Sequence, residues 1–281
     1  MRFTIGVDVG GSSIKGALLL DGKIIKTASF SISGNKTFDE SFAGLQNVID
    51  QLYFQNVEKI GIVTTGVVDP KEGVVLFSVN IQGWSGARLK ERVQKKYHVP
   101  TYVENDAIGA LIAEASCYPD LKNITMLTFG TGVGGASLID GKISRNPAHA
   151  WGARSIVPSG RMGKFGEAGS AEMYLSATAL KKDASSFFHK RMRTKEILQS
   201  FKRQDPIAVK VMSRYAKRLE SFLLLIEKEI HPELIILGGG LMEATDVIRP
   251  LIKIPEEKYA FAHYGNKAGI VGASMLPYEV K

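Results

Sequence analysis

Residues 5–24, IGVDVGGSSIKGALLLDGKI, return 119 positions later at 124–143 as ITMLTFGTGVGGASLIDGKI, with 9 identities in 20. The matches are Ile5/Ile124, Gly11/Gly130, Gly16/Gly135, Ala17/Ala136 and Leu19/Leu138, then Asp21-Gly22-Lys23-Ile24 against Asp140-Gly141-Lys142-Ile143. Such a repeat constrains the fold strongly, because whatever the first copy builds must be built twice. Each copy reads as an apolar run, a glycine turn, a second apolar run, an Asp-Gly pair and a third run. Asp-Gly between apolar runs is a strong hairpin signal, so each copy predicts three consecutive strands.

What lies between and after the copies is helical or mixed. The spacing of Phe42, Leu45, Val48, Ile49, Leu52 and Tyr53 predicts a helix over 38–55, and a second lies within 84–97. Lys59 to Val63 and Thr101 to Val103 read as strands, with Asn105 placed to cap a helix over 107–116. After the second copy, 145–169 has little periodicity and is rich in Gly, Pro, Ser and Ala, as functional or mobile loops are. Helices are expected over 170–180, about 180–200 and about 205–230. A strand over 233–237 then runs into Gly238-Gly239-Gly240, and a small-residue helix opens near Lys267. The fold class is therefore α/β with duplicated βββαβα units. The expected domains are 1–117 and 118–281, with the last helix, about 268–281, able to pack back on the first.

The 281 residues are 44% hydrophobic, enough for one large or two ordinary domains. Cys117 is the single cysteine, which excludes an intramolecular disulfide and fits a reducing compartment. No apolar run approaches the roughly 18 residues of a membrane span, and the chain enters a strand pattern at once, without a signal-peptide pattern. The expectation is a soluble cytoplasmic protein with no membrane partner. The net charge of +8 suits nucleic acid or a small anion. Its densest run, His189 to Lys195 with Lys202-Arg203, is either a solvated helix face or a binding patch. No helix-turn-helix or zinc-finger pattern precedes the first strand, so no nucleic-acid partner is expected.

Glycine loops after strands can turn several N–H groups toward one point, which suits phosphate oxygens. Gly10-Gly11-Ser12-Ser13 and Gly130-Thr131-Gly132 are candidates, and Asp8 at the tip of the first strand can hold Mg²⁺ directly or through water. Gly238 to Gly240 can admit a flat base or an α-phosphate. Any one of these loops is also simply a turn. Asn105-Asp106 is either a helix cap or a substrate-orienting amide beside a general base, and the two roles are compatible.

At this point the chain resembles the ROK family of sugar kinases, within the actin/hexokinase/Hsp70 superfamily of two-domain ATP-binding proteins. IGVDVGGSSIKGALL resembles the family's first phosphate motif, with Ser12 where Thr is usual. GIVTTGVVDP resembles its sugar-side segment around Gly66 and Asp69, and SVNIQGWSGARL its Asn-x-x-Gly-Trp stretch at Asn80, Gly83 and Trp84. VPTYVENDAIGALIAEA resembles the segment whose Asp is the catalytic base, here Asp106 beside Asn105. LTFGTGVGGASLIDGKI and ELIILGGGL resemble the second phosphate and adenosine motifs. The resemblance spans nearly the whole chain. It implies a ribonuclease-H-like, actin/hexokinase-type fold with a central cleft and a homodimer. It also implies ATP- and Mg²⁺-dependent phosphorylation of a hexose or hexose derivative at O6. Asp106 would be the catalytic base, with Gly66, Asn80, Asn105, Asp106 and Glu172 around the sugar. Asp8, Gly10, Gly11, Ser12, Ser13, Lys15, Gly130, Thr131, Gly132, Gly238, Gly239 and Gly240 would serve nucleotide and Mg²⁺.

Two departures stand out. ROK kinases often carry a Cys-x-Cys-Gly-x-x-Gly-Cys-x-Glu zinc motif. In GKFGEAGSAE the Gly166, Gly169 and Glu172 positions fit, but Gly163, Phe165 and Ser170 stand where cysteines would, so no zinc is expected. The family's Gly-Glu-x-Gly-His segment corresponds to NPAHAWGARSI, where Gly152 aligns with either glycine. Ala150 and Ala153, or Ala153 and Ile156, then replace the Glu and His. His149 is either a substitute or an ordinary loop histidine. These losses raise the alternative of a catalytically weakened sugar-binding or regulatory ROK protein. A DNA-binding repressor is the remotest reading.

Overall fold

The computed structural model describes residues 1–32, 37–147, 150–163 and 166–278. The chain forms two compact units, Met1–Cys117 with the segment from Lys267 onward, and Tyr118–Asn266.

The first unit is built on a five-stranded sheet. Strands β1 (Phe3–Val9), β2 (Ser13–Leu20) and β3 (Lys23–Ser31) form an antiparallel meander, followed by helix α1 (Phe38–Leu52). Thr37 caps α1 by accepting from the Glu40 N–H, and the helix stops at Leu52, three residues short of the expected end. Strand β4 (Val57–Thr64) pairs parallel with β1. A small hairpin, β5 (Val67–Asp69) and β6 (Val74–Phe77), leads to α2 (Leu89–Tyr97). Strand β7 (Thr101–Asn105) then adds parallel to β4, and α3 (Asp106–Ala115) follows. The strand order is β3-β2-β1-β4-β7.

The second unit repeats this plan. Strands β8 (Ile124–Phe129), β9 (Val133–Ile139) and β10 (Lys142–Ile143) form the meander. Helices α4 (Glu172–Leu175), α5 (Ala177–Phe188), α6 (Thr194–Lys202) and α7 (Pro206–Ile230) precede β11 (Leu234–Gly238), then α8 (Thr245–Ile248) and β12 (Tyr259–Phe261). The order β10-β9-β8-β11-β12 matches the first sheet position for position. The duplication reaches backbone detail. Asp21 and Gly22 have φ of 46° and 82°, and Asp140 and Gly141 have 51° and 75°. Positive φ at both central residues is the type I′ turn that two-residue hairpins require.

Several expectations need correction. The third strand of the second copy is only two residues long. Its pairing with β9 ends at Ile143, after which the Ser144 N–H still donates to Ser137 O. The helix expected over 170–180 is two helices, because Ser176 adopts extended backbone and its hydroxyl caps α5 through the Ala179 N–H. The pattern over 180–200 is also broken. His189 takes a left-handed conformation that ends α5, so the basic run His189 to Arg193 is a connection rather than a helix face, with Met192 buried beneath it. Among the described residues no helix is long and apolar enough to cross a membrane.

Each unit has its own core. In the first, Ile5, Val7, Leu45, Ile49, Ile62 and Trp84 are fully or almost fully buried; in the second, Phe129, Trp151, Leu219, Phe222, Ile235 and Leu237 are. Each core holds one tryptophan whose indole N–H finds a hydroxyl, as buried indoles need: Trp84 Nε1 donates to Thr64 Oγ1 and Trp151 Nε1 to Ser137 Oγ, both at 2.9 Å. The last helix, α9 (Ala268–Met275), belongs to the first unit and packs on α3, β1 and β4.

Candidate active site

The candidate residues fall into two sets, one in each unit. In the first unit β1, β4 and β7 run parallel, with Val9 opposite Thr64 and Thr64 opposite Asn105. Their carboxyl ends therefore lie along one sheet edge, where open α/β sheets present ligand sites. Asp8, the Gly10–Ser13 turn, Gly66, Asn105 and Asp106 share that edge. Lys15 sits directly across β2 from Asp8.

Asn105 organises this edge. Its Oδ1 caps α3 by accepting from the Ala107 and Ile108 N–H groups at 2.9 and 3.2 Å. Its Nδ2 donates to Gly66 O at 2.8 Å and to Asp106 Oδ1 at 3.0 Å. The cap and the site are thus one construction, and the amide cannot rotate without breaking both ends. The Ala107 N–H also donates to Asp106 Oδ1 at 2.9 Å. Burial, and next the negative charge of Asp8, push the Asp106 carboxyl up to about 6, against the pull of these donors. Asp8 is raised as well by burial, opposed by Lys15.

Gly66 has φ of 106°, and a Cβ there would lie 2.3 Å from Phe77 O, so only glycine brings its carbonyl to Asn105. Asn80 reaches the edge through Thr65, with Nδ2 donating to Thr65 Oγ1 at 2.5 Å, while Trp84 holds the same segment onto Thr64. The two threonines support candidate residues and were not singled out by pattern reading. Nothing in Thr-Thr after a buried strand signals that one hydroxyl anchors an indole and the next an amide from about 15 residues away. Asp69 is not at this edge chemistry: its Oδ1 accepts from the Lys71 and Glu72 N–H groups and closes the β5–β6 turn. The Gly10 N–H is spent on Ser13 O at 3.0 Å, so it closes the turn and is not free to meet a ligand.

In the second unit β8 and β11 are parallel neighbours, with Gly238 opposite Thr128. The loops after them, Gly130–Gly132 and Gly239–Gly240, therefore emerge side by side, and Leu241 N–H donates to Phe129 O. Gly130 N–H closes onto Gly132 O at 2.9 Å, and Gly130 O accepts from Ala177 N–H, which ties the loop to the start of α5. Thr131 O accepts from Thr178 Oγ1. Glu172, on the single turn of α4, lies against this loop: Val133 N–H donates to its Oε2 at 3.2 Å.

Two of the loop glycines have no intramolecular reason to be glycine. A Cβ on Gly130 or on Gly240 would meet nothing within 4 Å, and neither has positive φ. The room a side chain would fill is left open beside both loops, as a nucleotide needs. We expect Gly240→Ala to leave the melting temperature within about 1 °C of wild type while raising KM for ATP by roughly 10-fold, about 1.4 kcal/mol of lost binding. Unchanged KM would remove this loop from the nucleotide site.

Mg²⁺ fits the first set, since a carboxylate oxygen burdened by burial at Asp8 is what a hard cation relieves. Zinc does not fit the second: Gly163 and Ser170 carry no zinc donor, and Phe165 lies outside the described residues. Among the described residues no group of three or more His, Cys, Asp or Glu is placed to hold a metal ion. The NPAHAWGARSI segment is pinned by Trp151 and by Gly152, where a Cβ would lie 1.9 Å from Val133 O. Ala150 and Ala153 are exposed, Ile156 packs against the core, and His149 lies outside the described residues.

The family profile of the ROK family matches residues 4–279. The chain belongs to the ROK family. It is 28% identical to a glucokinase of Halalkalibacterium halodurans over 98% of this chain and 94% of the relative. It is 26% identical to a β-glucoside kinase of Listeria monocytogenes over 95% of this chain and 94% of the relative. Among solved structures, a ROK glucokinase from Streptomyces griseus in complex with glucose and AMPPNP superposes with a TM-score of 0.83, at 28% identity and 98% coverage of both chains. The ROK fold is accordingly the two-domain actin/hexokinase-type α/β fold, and each sheet of this ROK protein is one of its duplicated halves.

Proposed function

We propose that this chain is an ATP-dependent sugar kinase that phosphorylates a hexose or hexose derivative at O6, with Asp106 as general base. The observation that carries this reading is the Asn105–Asp106 pair. A carboxyl raised to about 6 is held by a capping amide on the same sheet edge as a second carboxylate, Asp8. A base near that value is ionised at neutral pH and still basic enough to accept a proton as a hydroxyl attacks. Relatives that match over nearly the whole chain are sugar kinases by name, and one is solved in complex with glucose and the ATP analogue AMPPNP.

Phosphoryl transfer needs positioning and charge neutralisation more than covalent help. Asn80 and Glu172 orient the sugar, while Asn105, with both its donors and both its acceptor positions engaged, orients Asp106, and Gly66 sets its angle. Asp106 takes the hydroxyl proton onto its carboxylate. Gly11 to Ser13 and Gly130 to Gly132 supply backbone donors for the phosphates, and Gly238 to Gly240 admit the adenosine. Asp8 would hold Mg²⁺, which when bound would neutralise phosphate charge. In either register, Ala150 and Ala153 or Ala153 and Ile156, apolar side chains stand where the family's motif carries Glu and His, which favours acceptors that do not rely on those two contacts.

The test is ADP release from Mg-ATP across hexoses, amino sugars, N-acetyl sugars and glucosides, with Asp106→Asn as control. Sugar-dependent turnover that vanishes in the variant is the expected result. Silence across the panel, with sugars still raising the melting temperature, would overturn the kinase reading in favour of a sugar-binding protein.

A further inference from the structure

The carboxylate of Glu172 reaches the second glycine loop from a helix of one turn, α4, which is too short to hold its own orientation. Something outside α4 must fix it, and the structure shows what does. Tyr174, on the same turn, is 6% exposed and is held at both its hydroxyl and its ring. Its hydroxyl accepts from the Arg161 N–H at 2.8 Å. The guanidinium groups of Arg161 and Arg218 both lie over its ring, 5.1 and 4.4 Å from the centroid. Both arginines converge on one carboxylate, Asp183 of α5: Arg161 pairs with its Oδ1, and Arg218 of α7 with its Oδ2 at 2.8 Å. Arg161 also donates to Met173 O of α4 at 3.4 Å.

The side chain of Asp183 is 12% exposed, that of Arg218 17% and that of Arg161 34%, so the carboxylate at the centre is mostly removed from water while one of its arginines stays partly solvated. Burial alone would raise the Asp183 carboxyl, but the hydrogen bonds and charges of Arg161 and Arg218 outweigh it and hold the group below its usual range. It is therefore charged at neutral pH. The cluster joins the irregular segment through Arg161, α4 through Tyr174, α5 through Asp183 and α7 through Arg218.

We infer that Asp183, Arg161 and Arg218 form a positioning clamp on Tyr174 that sets α4 so that Glu172 meets the second glycine loop. None of the three is a catalytic residue; they act through Tyr174 and Glu172. The clamp's effect on the loop stands whether or not the chain is a kinase, and its effect on sugar affinity rests on the proposed role of Glu172. Asp183→Asn keeps the shape and removes the charge that gathers both arginines. Arg161→Lys keeps the charge and removes the flat fork and the stacking, and serves if the first variant does not fold.

The first readout is hydrogen exchange of the peptide covering Gly130 to Val133, in protein without ligand. Exchange there is expected to rise about 10-fold in Asp183→Asn, to match the rise in Glu172→Ala, which removes the acceptor altogether, and to rise no further in the double variant, because both changes release the same Val133 N–H. The second readout is the kinetic split: KM for the sugar rises roughly 10-fold with kcat within about 2-fold. Unchanged exchange in a folded variant, or additive exchange in the double variant, would overturn the clamp. Raised exchange with unchanged KM would leave the clamp standing and remove Glu172 from the sugar site.

Discussion

Asp106→Asn is expected to lower kcat by about 10³-fold while making the folded protein more stable at pH 8. General-base catalysis contributes roughly 10²- to 10⁴-fold, and an amide cannot take the hydroxyl proton. The fold is kept because the amide oxygen can still accept from Ala107 N–H and Asn105 Nδ2. The gain in stability follows from the raised carboxyl. A folded value of about 6 lies above an unfolded value near 3.9, so the group's favourable contribution is complete below about pH 4 and is lost as pH rises through 6. Ionised Asp106 therefore weakens the native state at pH 8. For a partly exposed side chain the relief in the variant is on the order of 1–2 kcal/mol. Melting curves of both proteins between pH 4 and 8 should diverge upward with pH and meet near pH 4. In the wild type, kcat/KM should fall on the acid side with a midpoint near 6. A variant that loses activity and is destabilised at pH 8 would mean that the carboxylate is structural.

Much of this was legible in the sequence because the signals are local or repeated. The 119-residue offset placed two three-stranded meanders, and both Asp-Gly pairs make the same turn. The Asn105 cap was readable as a residue type at a strand end, and the structure adds that its other end holds Gly66 and Asp106. What was not legible depends on contacts far apart in the chain or on single-residue breaks. Helical periodicity passes through Ser176 and His189, since the apolar phase is nearly kept on either side, and only the cap and the left-handed residue stop the helix. The second break cuts the basic run, leaving His189 to Arg193 as a connection while Lys195 and Lys202 lie on α6. Thr64, Thr65, Asp183 and Arg218 carry no pattern at all. Their roles arise from partners 15 to 35 residues away, such as Asn80 on Thr65 and Arg218 on Asp183.

Gly272→Ala is expected to cost about 3 kcal/mol or more and to abolish activity, although alanine is the better helix former by roughly 1 kcal/mol. The sign is decided by where the methyl would go. A Cβ on Gly272 would lie 1.7 Å from Gly109 O of α3, and one on Gly61 of β4 would lie 1.7 Å from Ala273 O of α9. On a third side, a Cβ on Gly6 of β1 would lie 2.1 Å from Ile270 O. The obstacles are backbone atoms, which cannot turn aside as a side chain would. The helix α9 is therefore seated by glycine on α3, β1 and β4 at once, and pushing it off any one of them disturbs the others. Its first turn also lies on the candidate site, since a Cβ on Gly269 would stand 2.7 Å from an Asp8 carboxylate oxygen. Displacing α9 would thus unsettle Asp8 as well as the core. Urea unfolding of Gly272→Ala against Gly240→Ala separates the two kinds of glycine. The first should shift the midpoint strongly downward, and the second, where a Cβ meets nothing within 4 Å, should leave it unchanged. Equal midpoints would mean that α9 can shift to accept a methyl, and that the close seat is not what holds it beside Asp8.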